Sequence, residues 1–151
     1  MGASQTFVRC FDMTLEIRRA SLTDLPSLSR LEPWLATADG QAYLERFIGA
    51  QRVTVALEGR VAAGLTVREV PFFGHEFVHK LHVSDDFRRR GVGAALMAFE
   101  AQHSATPKLF TSTNLSNSPM LALLRSQDWI YSGTLDQMDL GDPEVFFVKH
   151  C

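Results

Sequence analysis

The 151-residue chain contains only two cysteines, Cys10 and Cys151, near opposite ends and in no spacing that suits a metal. Neither a disulfide framework nor a cysteine-ligated centre can therefore organise it. Free thiols in a cytoplasmic, reducing setting are the expectation, since no apolar signal-peptide run opens the chain. Long apolar runs are also missing: the longest near-apolar stretches, such as Gly93 to Phe99, fall far short of the roughly 18 residues that span a bilayer, so no membrane partner is expected. The Met1-Gly2 start formally fits a lipidation pattern, but no basic run follows to supply a second anchor. Charge of one sign is lacking too, with 15 Lys and Arg against 17 Asp and Glu leaving a net charge of −2. Nucleic acid would find no bulk attraction. Internal repeats, low-complexity tracts and a dividing linker are all absent.

What is present belongs to an ordinary folded domain. Apolar residues make up 46% and charged residues 21%, mean hydropathy is −0.02, and 16.9 kDa is enough for one domain with one shared core. Residues 1–13 read as a loosely ordered leader and residues 14–151 as the domain. Leu15 and Ile17 alternate with charged neighbours as a strand does. Ser21 with Asp24 caps a helix through Leu25, Leu28 and Leu31 that Pro33 stops, and Gln41 to Gly49 reads as a second helix. Val53–Leu57 and Val61–Val67 form a hairpin around Gly59-Arg60. After Pro71 to Gly74 a strand runs to Val83, placing Phe77, His79, Leu81 and Val83 on one face by regular alternation. A helix starts near Gly91 and runs to His103. Then come a strand from Lys108 to Thr113, a helix opened by Ser118-Pro119, and two strands, Ile130–Leu135 and Glu144–Lys149. Early antiparallel pairing followed by strand–helix–strand crossovers predicts an α/β (α+β) layered domain. Its mixed central sheet should have about six to seven strands and helices on both faces.

The chemical signal is densest from Leu81 to Ala94, where a strand delivers Arg88, Arg89, Arg90, Gly91 and Gly93 to the start of a helix. Glycines let main-chain N–H groups approach a ligand, the helix N-terminus adds unsatisfied donors, and the arginines add charge, a combination suited to phosphate. Neither a dinucleotide fingerprint nor a P-loop fits, because the third small residue of the first and the Gly-Lys-Ser/Thr of the second are missing. A solvated basic turn whose glycines only permit helix packing is the alternative reading of these residues.

Arg88-Arg89-Arg90-Gly91-Val92-Gly93 resembles the R/Q-x-x-G-x-G/A signature of the GNAT N-acetyltransferases, with the Leu-x-Val strand ending of that family at Leu81 and Val83. The resemblance extends to Ile17–Pro26 and to the order of elements from Thr14 onward. It implies acetyl-CoA as cosubstrate and no metal. The pyrophosphate would be wrapped by Arg88, Arg89, Arg90, Gly91, Val92, Gly93 and Ala94. The pantetheine arm would lie along Leu81, His82 and Val83, in a splay between that strand and Lys108–Thr113. A main-chain N–H near Leu81 would stabilise the oxyanion, and Asn117 matches an asparagine that binds the cofactor arm, though a plain turn role suits it equally.

An alkylamine acceptor arrives protonated and needs a base that titrates near neutrality. His79 occupies the place where some relatives carry a histidine implicated in proton removal, while the glutamate of others falls at Phe77. A core histidine without catalytic duty is the plain alternative. Glu76 and His82 are second choices. The tyrosine that many members use to protonate the departing thiolate is Leu124 here, leaving Tyr131, Ser116 or water. The acceptor side would draw on Trp34, Tyr43, Phe47, Phe72, Phe73, Asp136, Asp139 and Asp142, which would suit a cationic amine with an apolar group. The resulting expectation is an N-acetyltransferase acting on a primary amine of a small molecule by direct attack in a ternary complex. A protein or peptide amine, or a non-catalytic acyl-CoA-binding module, are the alternatives. A nucleic-acid domain centred on Arg88–Arg90 ranks last, and a homodimer would be in keeping with the resemblance.

Overall fold

Turns built on left-handed residues set the first strand boundaries. Phe11 has φ 53°, Gly59 61°, and the pair Phe73 and Gly74 50° and 81°. Two consecutive positive φ values suit the right-handed twist of a two-residue hairpin. The computed structural model describes residues 4–151, the side chain of Pro71 excepted. Its strands are β1 Gln5–Cys10, β2 Met13–Arg19, β3 Val53–Glu58, β4 Val61–Phe72, β5 His75–Val83, β6 Lys108–Asn114, β7 Ile130–Leu135 and β8 Glu144–His150. The α-helices among the described residues are α1 Leu25–Leu28, α2 Ala38–Gly49, α3 Val92–Gln102 and α4 Ser118–Ser126.

One eight-stranded mixed sheet has the order β1-β2-β3-β4-β5-β6-β8-β7, with β5 and β6 parallel. The expected six to seven strands become eight because residues 5–10, which read as part of a loose leader, pair antiparallel with β2 from Gln5↔Arg18 to Cys10↔Met13. β1 carries too little alternation to stand out, because its burial is only partial, exposed and half-buried residues taking turns. Residues 1–3, including the lipidation-like start, lie outside the described residues. No helix among the described residues is long and apolar enough to cross a membrane.

The chain forms two compact units, one running up to Arg68 and including Lys80–Phe99, the other made of Glu69–His79 and Glu100–Cys151. In the first, the sheet is covered on both faces. One core joins Leu28, Leu31, Leu35, Leu44, Phe47 and Ile48 of the α1–α2 region to Val53, Val55, Leu65 and Val67. The other joins Met13, Leu15 and Ile17 to Phe87, Val92, Leu96 and Phe99 at α3. Each fully buried leucine contributes about 1.5–3 kcal/mol. Thr37, not Gln41, begins α2: its Oγ1 accepts the Gly40 N–H at 3.1 Å. Gly40 must lack a side chain because a Cβ there would lie 2.1 Å from the Trp34 carbonyl oxygen. An Arg18–Asp24 pair with two hydrogen bonds, 2.7 and 2.9 Å, ties β2 to the start of α1.

In the second unit β8 lies between β6 and β7, pairing along the whole of β6 from Lys108↔His150 to Asn114↔Glu144. Leu109, Thr111, Val145 and Phe147 are buried, as are Leu121, Leu124 and Trp129. The alternate positions carry half-buried rings, with Phe72 within 4.8 to 6.1 Å of Phe77, Phe110 and Phe146. The N-cap of α4 is Asn117 rather than Ser118; its side chain accepts the Met120 N–H at 3.3 Å.

Candidate active site

The strand that leads into the basic turn changes its alternation midway. Glu76 and Val78 are buried in its first half, whereas Leu81 and Val83 pack against the α3 core in its second. His79 therefore belongs to neither of these sets, and the buried positions of the first half are not those of the second. The β5–β6 ladder covers Glu76–Val78 against Leu109–Thr111. A Thr111 hydroxyl donating to the Val78 carbonyl at 2.8 Å marks its end.

In the first unit, a short 3-10 turn at Asp85–Phe87 follows β5 and leads into the turn of Arg88 to Gly91. Arg89 has φ 60° and Gly91 φ 81°, and the Gly91 carbonyl accepts the first helical bond from Ala95 at 3.0 Å. Val92, Gly93 and Ala94 thus form the opening turn of α3, where main-chain N–H groups point along the axis and the helix dipole favours an anion. The three arginines differ in their surroundings. Arg88 pairs with Asp85 at 3.1 Å and reaches the Val83 carbonyl at 3.4 Å. Arg90 pairs with Asp12 at 3.0 Å and its guanidinium lies 5.5 Å from the centre of the Phe87 ring. The hydrogen bond and charge of Arg90 hold the Asp12 carboxyl below the usual range. Cys10, on the same hairpin, places Sγ 4.0 Å from the Gly91 carbonyl oxygen, and burial pushes its thiol up. This donor set of left-handed turn, helix start and guanidinium groups fits the pyrophosphate of a coenzyme A thioester.

His82, also in this unit, faces the loop after α1. Its Nε2 is 2.9 Å from the Leu31 carbonyl oxygen and its Nδ1 3.5 Å from Glu32, whose other oxygen pairs with Lys80 at 2.5 Å. Lys80 also stands 5.9 Å from the Trp34 ring centre, and Trp34 meets Tyr43, which meets Phe47. His82 thus serves this loop with its side chain.

In the second unit His79 carries a side chain 24% exposed, with Nδ1 3.7 Å from the Glu69 carboxylate. Glu76 is only 4% exposed and accepts from the Ser104 hydroxyl at 3.0 Å and the Ala105 N–H at 2.9 Å, so its carboxylate is fixed in the loop after α3. Asn117 donates to Thr113 Oγ1 at 3.0 Å as well as capping α4. Leu124 is fully buried. Of the substitutes for the missing tyrosine, Tyr131 hydrogen-bonds Thr134 at 2.8 Å and Ser116 donates to Asp142 at 2.5 Å. Asp139 accepts from Asn114 at 2.8 Å, while Asp136 is exposed. Phe72 and Phe73 meet at 5.2 Å within the aromatic face of this unit. Two of the expected acceptor carboxylates are thus engaged in holding loops.

Asp12 and Cys10 at the basic turn have no signal in the local sequence. They come from 78 and 81 residues away, beyond the reach of any short-range pattern.

A strand that ends in such a turn at a helix start, within a mixed α+β sheet, defines a class of domain suited to a phosphate-bearing ligand. Residues 14–129 match the model of the acetyltransferase (GNAT) family, and the chain belongs to that family. It is a GNAT-type acetyltransferase, and this family uses acetyl-CoA. A comparison with curated proteins by sequence finds no match. Among solved structures, a GNAT acetyltransferase from Bacillus cereus is similar with 29% identity over 90% of this chain and 96% of its own, at a TM-score of 0.84. Ard1 from Thermoplasma volcanium shares the fold at 17% identity over 90% and 97% of the two chains, TM-score 0.73. A Bacillus anthracis acetyltransferase solved with acetyl coenzyme A shares it at 16% identity over 66% and 61%, TM-score 0.60.

Proposed function

We propose that this acetyltransferase transfers the acetyl group to a primary amine of a small molecule by direct attack, with Arg88 to Ala94 holding the pyrophosphate and His79 removing the amine proton. The observation that carries the reading is the turn itself: Arg89 and Gly91 are both left-handed directly before the first turn of α3. Acetyl-CoA supplies a thioester carbonyl already activated toward amines. Main-chain groups of Leu81, His82 and Val83 align the arm like an added strand, and an N–H near Leu81 meets the developing oxyanion.

His79 lies two residues before Leu81 on one strand, with its Nδ1 3.7 Å from the Glu69 carboxylate. The neutral amine then bonds to the carbonyl carbon, the carbon–sulfur bond breaks, and the surplus proton on the new amide nitrogen passes through water to the departing thiolate. Buried Leu124 cannot supply that proton. Trp34 and Tyr43 offer ring surface to the apolar part of the acceptor.

Free-thiol release from acetyl-CoA across a panel of amines, polyamines, amino acids and peptides tests the reading. Release with small primary amines above the rate without acceptor is expected. Release with peptides alone would overturn the acceptor class, and failure to bind coenzyme A in calorimetry would overturn the turn assignment.

A further inference from the structure

The β5–β6 ladder ends at Val78↔Thr111, and the next residue on each strand, His79 and Ser112, shares a face with the ring two positions earlier, Phe77 and Phe110. That face turns away from α4, because Lys149, paired with Leu109 on the other face, donates to the Gln127 carbonyl at the end of this helix. Ser112 stands directly opposite Phe146 of β8, whose ring centre lies 6.2 Å from that of Phe77 and 6.1 Å from that of Phe72. Its polar neighbours on β6 are engaged, Thr111 with Val78, Thr113 with Asn117 and Asn114 with Asp139. Half-buried Ser112 makes no side-chain hydrogen bond among the described residues. A hydroxyl left open among phenylalanine rings calls for a polar partner from outside the chain.

Resting on the small-amine reading above and on His79 as its base, we propose that Ser112 is an acceptor-binding residue, and that the face of Phe72, Phe77, Phe110 and Phe146 makes the acceptor an apolar monoamine rather than a polyamine. Ser112 Oγ accepts one N–H of the bound ammonium while His79 takes a different proton, so the nitrogen is held at two points as its lone pair is released. The rings take up the carbon skeleton. They offer no partner to a second ammonium, which would enter at the cost of its hydration. The sign of charge agrees, since this unit holds eight Asp and Glu against three Lys and Arg and its field draws a cation. Glu69 beside His79 brings one carboxylate to the place where one ammonium is needed.

The test is thiol release from acetyl-CoA with ethylamine, butylamine, hexylamine and spermidine, in the wild-type chain and in Ser112→Ala, Ser112→Thr and Phe146→Thr, each checked by thermal melting and by calorimetric titration of coenzyme A. In the wild type kcat/KM rises about three- to fourfold per methylene along the monoamines, and spermidine falls below hexylamine. Ser112→Ala lowers kcat/KM about 10- to 100-fold, the loss of a hydrogen bond to a charged group, with coenzyme A affinity and the methylene dependence unchanged. Ser112→Thr keeps the hydroxyl and regains all but about threefold of that loss, a rescue that a merely structural serine would not show. Phe146→Thr flattens the methylene dependence. Wild-type rates in Ser112→Ala, or equal losses in its alanine and threonine variants, would overturn the role of Ser112. A flat dependence in the wild type, one that survives Phe146→Thr intact, or a preference for spermidine would overturn the acceptor class. Thiol release with peptides alone, or an unaltered pH–rate profile in His79→Gln, would instead refute the reading on which the proposal rests.

Discussion

Gly64 offers a direct way to perturb the seat of the phosphate turn from inside the sheet. A Cβ there would lie 2.8 Å from the His82 carbonyl oxygen, 3.2 Å from Leu96 Cδ1 and 3.3 Å from Val92 Cγ1. The first neighbour is main chain of β5 and cannot rotate away. Leu96 and Val92 are 0% and 1% exposed, so neither has space to retreat. Overpacking of this kind costs about 1–3 kcal/mol, partly offset by the about 0.4–1 kcal/mol that alanine gains over glycine through the unfolded chain. Because the nearest neighbour is main chain, the upper half of that cost applies, a net loss of about 1–2.6 kcal/mol, and at about 2–4 °C per kcal/mol for a domain of this size Gly64→Ala should melt roughly 2–10 °C below wild type. Because Val92 opens α3, the strain reaches the turn proposed to hold the pyrophosphate, and coenzyme A affinity should fall as well. Gly49→Ala is the matched control: Gly49 ends α2 and a Cβ there meets nothing within 4 Å, so stability should rise by about 0.5–1 kcal/mol. Differential scanning calorimetry of both variants decides the matter. A Gly64→Ala melt at or above wild type, with Gly49→Ala raised as expected, would refute the close approach of β4, β5 and α3.

His79→Gln should lower kcat by about 100-fold or more below pH 8 and approach wild type above pH 9, where the amine increasingly deprotonates unaided. Coenzyme A affinity should be nearly unchanged, and an unaltered pH–rate profile removes His79 from the mechanism. Glu76→Gln should lower Tm through its bonds to Ser104 and Ala105 yet leave that profile in place; a shifted profile would make Glu76 part of the proton path. Burial alone would raise the Asp24 carboxyl, but the Arg18 and Ser21 hydrogen bonds outweigh it and bring it below its ordinary 3.8. Its stabilisation is therefore present at neutral pH and is lost as pH falls from 3.8 through the lower folded value. Asp24→Asn should cost about 2–3 kcal/mol at pH 7 and flatten the acid limb below about pH 4 in urea unfolding, less than a wholly buried pair because Arg18 is 24% exposed. An acid limb unchanged in the variant would place the pH dependence elsewhere.

Local chemistry makes most of this chain legible in its sequence. The hairpin at Gly59, the α4 start marked by Pro119, and the glycine-arginine turn leading into α3 are short-range features, where two or three residues decide the backbone. They carry the family and the fold class with them. β1 is hidden because an edge strand that buries few residues leaves little alternation to read. The change of phase within β5 is hidden as well, since residue types alone cannot show where a strand exchanges its buried face. Glu76 resembles a second base in sequence and is a buried loop anchor in the fold, a role decided by Ser104 and Ala105 nearly thirty residues on. The three arginines look equivalent in sequence. Only the tertiary structure separates them, because the carboxylate that engages Arg90 sits on a hairpin 78 residues away, and a contact of that span is set by packing rather than by neighbours in the chain.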